Sequence, residues 1–135
     1  MKGRRLSAPQ QSALLNLRFP SFRAVRRSEP FEWRGSLQPT DISPSYRISI
    51  SLPSGKRPHV IVIWPKLLLR EDAQIIPHTF ADGSLCLHLP EEWTPDMVVA
   101  ETIVPWTSLW LYHYEVWYAT GTWLGGGHSP DGGKE

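Results

Sequence analysis

The apolar and polar positions change period along the chain, and each change marks an element. Leu14 and Leu15, with Arg18 a turn further on, predict a helix over 8–19. Pro20 ends it, because proline lacks an amide donor and clashes with the preceding turn. The segment 31–37 reads as a first strand. In Tyr46-Arg47-Ile48-Ser49-Ile50-Ser51-Leu52 apolar and polar residues alternate strictly, as a half-buried strand requires. Pro53-Ser54-Gly55-Lys56 supplies a turn, and His59-Val60-Ile61-Val62-Ile63-Trp64 is a β-branched run closed by Pro65. Two strands joined by that turn form an antiparallel hairpin, and with 31–37 they form a meander.

Regular periodicity then fades until about residue 95. Irregular segments longer than about 12–15 residues in a compact domain are usually functional or disordered, and the apolar content of this one argues for order. Thr94 as N-cap, Pro95 at the first helical position and Asp96 in the first turn predict a helix to about 103, interrupted by Pro105. A second helix over 106–120 carries Trp106, Trp110, His113, Tyr114 and Trp117 at helical spacing, a stripe best explained as a core face. Gly121 ends it. The outcome is an α+β layer arrangement: an N-terminal helix, an antiparallel β-meander, an irregular cysteine-bearing loop and C-terminal helices.

At 135 residues, 41% of them hydrophobic and seven of them tryptophan, the chain suits one globular unit. Residues 1–7 read as a flexible basic arm and 125–135 as a flexible Gly-rich tail; no helix follows those glycines to make a phosphate cradle. A formal net charge of +1 points to neither nucleic acid nor an anionic membrane as the main partner. No acidic residue precedes Glu29, while Lys2, Arg4, Arg5, Arg18, Arg23, Arg26 and Arg27 are basic. Such a start superficially resembles an organelle transit peptide, but its helix carries core-facing leucines and no cleavage site is visible. No apolar run approaches the roughly 18 residues of a membrane span. The single cysteine forms no internal disulfide, so a reducing cytoplasm is the expected compartment.

That cysteine, Cys86, lies in Asp82-Gly83-Ser84-Leu85-Cys86-Leu87-His88. A free cysteine is often just a small buried residue. Alternation, however, predicts Leu85 and Leu87 anchored in the core, with Ser84, Cys86 and His88 on the polar face. Zinc held by Cys86, His88 and His78 is a weak possibility: a structural site needs four ligands, and no paired cysteine motif exists. A Cys-His hydrolase is disfavoured because such dyads usually draw the histidine from a distant segment and the known local signatures are absent.

A third chemistry enters through a resemblance. Pro77-His78, Asp82-Gly83-Ser84-Leu85-Cys86-Leu87 and Trp93-Thr94-Pro95 resemble the active-site region of ubiquitin-conjugating enzymes, where a His-Pro-Asn tripeptide precedes a Gly-x-Ile/Leu-Cys-Leu segment and a Trp-Ser-Pro that opens a helix. The ordered set is specific where each element alone is not, and the Trp64-Pro65 pair closing the meander also fits. His78 stands where the family has its asparagine. With Ile103-Val104-Pro105-Trp106 and Thr120-Gly121-x-Trp123, the pattern is similar to the bacterial conjugating-enzyme-like proteins of type II CBASS antiphage operons.

The resemblance implies a UBC-like conjugating domain over 8–124. It implies that Cys86 carries the C-terminal carboxyl of a partner, the operon's CD-NTase nucleotidyltransferase, as a thioester and passes it to an amine. His78 would donate to the oxyanion or simply brace the loop. For His88 solvated surface is the default expectation, and no cofactor is implied. Without a visible ATP-binding module, the protein would receive an activated partner, work with a separate activating enzyme or act on a preformed bond. The rival reading is a noncatalytic UBC-like binding module with a structural cysteine.

Overall fold

The fold was obtained as a computed structural model, which describes residues 5–53, 56–88 and 92–125. Residues 1–4 of the expected arm and 126–135 of the expected tail lie outside the described residues. Helix α1 (Ala8–Arg18) opens with a capping box: Ser7 Oγ accepts from the Gln10 amide, and Gln10 Oε1 accepts from the Ser7 amide. It buries Leu15 and Gln11.

Four antiparallel strands follow in sequence order: β1 (Arg23–Arg26), β2 (Phe31–Leu37), β3 (Tyr46–Leu52) and β4 (His59–Trp64). The last three match the strands expected from the sequence. Strand β1 was not expected, since its Arg-Ala-Val-Arg is short, charged and mostly exposed, and only pairing with β2 reveals it. On β2, Trp33, Gly35 and Leu37 face inward, opposite Ile50, Ile48 and Tyr46 of β3. Gly35 is required by packing. A Cβ there would lie 2.3 Å from Cγ of Phe22, whose buried ring rests on that strand.

The C-terminal half corrects two expectations. No helix runs from Thr94 to residue 103. The chain makes a tight turn in which the Met97 amide donates to the Thr94 carbonyl at 2.9 Å and the Thr94 hydroxyl bonds Asp96, followed by one 3₁₀ turn, Val99–Glu101. A tertiary contact accounts for this. Buried Gln11 donates through Nε2 to the Met97 carbonyl at 2.7 Å, and its Oε1 accepts from the Val99 amide at 2.9 Å, so its amide holds the segment out of helical register.

The second correction concerns Pro105, which does not interrupt a helix. Helix α2 (Ile103–Thr120) runs through it, because Pro105 sits in the first turn, where an amide hydrogen would have no helical partner. Trp110, Tyr114 and Trp117 are buried as a core face should be, with the Trp110 and Tyr114 rings stacked at 5.8 Å. Gly121 ends the helix in a left-handed conformation, as expected, and Arg70 donates to the nearby Tyr118 carbonyl at 2.8 Å. One core cluster joins α1, β2, β3, β4 and α2. Among the described residues no helix is long and apolar enough to cross a membrane.

Candidate functional site

The cysteine segment is a small hairpin built on the edge of the sheet. Thr79 and Leu85 form an antiparallel bridge, the Phe80 amide donates to the Ser84 carbonyl at 2.8 Å, and the Cys86 amide donates to the His78 carbonyl at 2.9 Å. The Leu85 amide donates to the Val60 carbonyl at 2.9 Å, which docks the hairpin on β4. At its tip Asp82 Oδ1 accepts from both the amide and the hydroxyl of Ser84, and Gly83 takes a positive φ of 89°. The other carboxylate oxygen of Asp82 lies 2.9 Å from His59 Nε2, tying the tip to β4 a second time. The Ser84 hydrogen bonds, aided by His59, hold the Asp82 carboxyl below its ordinary pKa.

Helix α2 supports the segment from the other side. Trp110 Nε1 donates to the same His78 carbonyl at 3.0 Å, and the Tyr114 hydroxyl accepts from the Leu68 amide at 2.7 Å. The aromatic stripe is therefore more than apolar filling; its polar edges hold the irregular segment. Because the His78 carbonyl accepts both Cys86 N–H and Trp110 Nε1–H, this one oxygen couples the cysteine to the core helix.

The alternation expected around Cys86 does not hold. Leu85 is buried, but so are Ser84 and His88, while Cys86 and Leu87 are both half-buried. A single bridge at Leu85 does not impose a strand's two-sided pattern on its neighbours. His88, expected on the solvated surface, is 7% exposed and packs against Trp106 at 5.3 Å between ring centres. The half-buried Cys86 thiol is pushed above its ordinary pKa by burial; Arg57 pulls it down and Glu92 pushes it up. Arg57 is itself held with its guanidinium 4.6 Å from the centre of the Phe80 ring.

His78 is buried, with a left-handed backbone of φ 57°, a conformation uncommon outside glycine but one that histidine, like asparagine and aspartate, adopts more readily than other residues. Its ring lies 4.8 Å from that of Trp123, which follows α2 and also packs edge-on against Trp110 at 5.3 Å and tilted against His113 at 6.0 Å. Burial lowers the His113 pKa, and His78 adds to the effect. Cys86 and His78, the two residues that stand out in the sequence, are joined by the hairpin through their backbones. Trp123 stands in the sequence only as part of the Thr120-Gly121-x-Trp123 pattern, and neither Arg57 nor the pairing of His59 with Asp82 carries a local signal there. Among the described residues no group of three His, Cys, Asp or Glu could hold a metal ion.

Fold and site together define an α+β protein whose single thiol is set on a hairpin braced by a sheet edge and an aromatic helix. Residues 11–130 match the model of the type II CBASS E2 protein family, and the chain belongs to that family. No curated protein matches the chain.

Proposed function

We propose that the protein is a ubiquitin-conjugating-like acyltransferase of UBC-like fold that carries a partner's C-terminus on Cys86. The Cys86 thiolate attacks the activated carboxyl carbon of the partner and expels its activating group, leaving a thioester. An acceptor amine then attacks the same carbon, an amide bond forms, the Cys86 sulfur leaves as thiolate and the amine's proton passes to base. The donor is the C-terminus of the operon's CD-NTase, supplied already activated or through a separate activating enzyme, in the cytoplasm. His78 is the candidate donor to the tetrahedral oxyanion, an interaction that elsewhere can be worth about 3–4 kcal/mol.

The observation that carries this reading is the family match over residues 11–130, which spans the lone thiol and its supporting hairpin. The thiol's raised pKa is compatible with a carrier, because a less acidic thiol is a slower leaving group and its thioester resists random attack. The same partial burial favours a second reading, a noncatalytic UBC-like module with a structural cysteine.

Incubation with the activated CD-NTase, followed by intact mass and non-reducing gel, separates the two. The carrier gains a thiol-labile adduct on Cys86 that is absent in Cys86→Ala. Conjugation by Cys86→Ala at the wild-type level would sink the proposal.

A further inference from the structure

We propose that a groove between β4 and the segment 66–83 receives the C-terminal tail of the acyl donor as an added strand on β4; the inference rests on the carrier reading of Cys86. Strand β4 is an edge of the sheet. Its Val60 carbonyl points away from β3 and accepts the Leu85 amide at 2.9 Å. Backbone groups alternate sides along a strand, so the amide and carbonyl of Val62, two residues on, point off the same edge. Among the described residues neither group has a hydrogen-bond partner. The cysteine hairpin thus closes the edge at Val60 and leaves it open at Val62, where an extended chain can pair with it.

That open edge lies in the wall of a groove of about 980 Å³. Ile61 and Ile63 of β4, Leu69 and Ile75 of the segment after it, and Phe80 of the hairpin line the groove. The first four are exposed, and apolar residues gathered in this way mark an interaction surface. Among the described residues only Lys66 and Asp82 bring charge to the lining. Asp82 is engaged by Ser84 and His59, whereas no described carboxylate pairs with Lys66. The complementary occupant is therefore an extended segment with apolar side chains and an acidic residue facing Lys66. The donor's tail suits this place because the hairpin that walls the groove also carries the thiol. Phe80 lines the groove, Arg57 lies 4.6 Å from the centre of its ring, and the Arg57 charge reaches Cys86.

The test measures binding of a fluorescent peptide, the C-terminal segment of the CD-NTase, to Cys86→Ala, which forms no thioester, so docking is read apart from chemistry. The peptide should bind, and at saturation it should slow hydrogen exchange at the Val62 amide about tenfold while leaving β3 amides unchanged. Ile75 is 61% exposed, so Ile75→Asp should unfold in urea as the parent does. It should nonetheless weaken binding about tenfold, because the peptide would bury the new carboxylate. Lys66→Glu should weaken binding about threefold, and a peptide whose acidic residues are replaced by lysine should recover the loss.

No binding, an unprotected Val62 amide, or affinity indifferent to Ile75→Asp overturns the proposal. So does a peptide-free dimer that Ile75→Asp dissociates and the peptide does not, since a second copy would then cover the groove. A peptide that docks on Cys86→Ala while the wild-type protein never forms the Cys86 thioester would instead defeat the carrier reading.

Discussion

The carbonyl of His78 accepts hydrogen bonds from both the Cys86 amide, at 2.9 Å, and Trp110 Nε1, at 3.0 Å, so the cysteine hairpin hangs from the core helix by one oxygen. Replacing Trp110 by Phe keeps a ring in the core but removes one of those donors. The expected cost is about 1 kcal/mol of stability. Hydrogen exchange should also quicken at the Cys86 amide more than at β3 amides. Equal protection in both proteins would show that the indole donor does not brace the hairpin.

The Cys86 thiol is raised chiefly by burial, with Arg57 and Glu92 acting in opposite directions. Its alkylation by iodoacetamide should therefore rise with pH around a midpoint above the ordinary thiol value of 9.0. Arg57→Gln should move that midpoint higher and Glu92→Gln lower. The sign follows from charge: a nearby cation favours thiolate and a nearby anion disfavours it. A wild-type midpoint below 9.0 would contradict the burial argument.

Asp82 has the opposite sign. Its folded pKa is depressed, first by the Ser84 hydrogen bonds, so its contribution is fully present above the unfolded carboxylate value and is lost as pH falls through the folded one. Below about pH 4, wild-type stability in urea should fall more steeply than that of Asp82→Asn, and above that range the variant should be the less stable protein. The carboxylate is more than half exposed, so the difference should be small. Parallel acid limbs would remove Asp82 as a brace of the hairpin tip.

Gln11 supplies partners to two backbone groups of the segment before α2. Gln11→Leu strands the Met97 carbonyl and the Val99 amide, the latter bond being fully buried. The expected loss is about 3 kcal/mol in chemical denaturation. A loss under about 0.5 kcal/mol would mean that the segment finds other partners.

Much of the scaffold was legible because it depends on local pattern. The strict alternation of 46–52 and the β-branched run 59–64 specify strands through the two-residue period of the extended backbone. Pro20 and Gly121 mark helix ends through what their own residues forbid or permit. The lone thiol and its motif were equally visible, since they depend on residue identity and spacing. Strand β1 was hidden, because four residues, three of them exposed, carry too little pattern to be distinguished from a cationic linker.

The sequence by itself determined the α+β order, three of the four strands and the position of the one available thiol. Tertiary structure decided the rest. It replaced the expected helix after Thr94 with a turn, because Gln11, 88 positions before Val99 in the chain, satisfies that segment's backbone. It buried His88 against Trp106 and set His78 against Trp123. Local periodicity reports the geometry of neighbouring residues, whereas these placements depend on donors, acceptors and ring faces that meet only when the chain has folded.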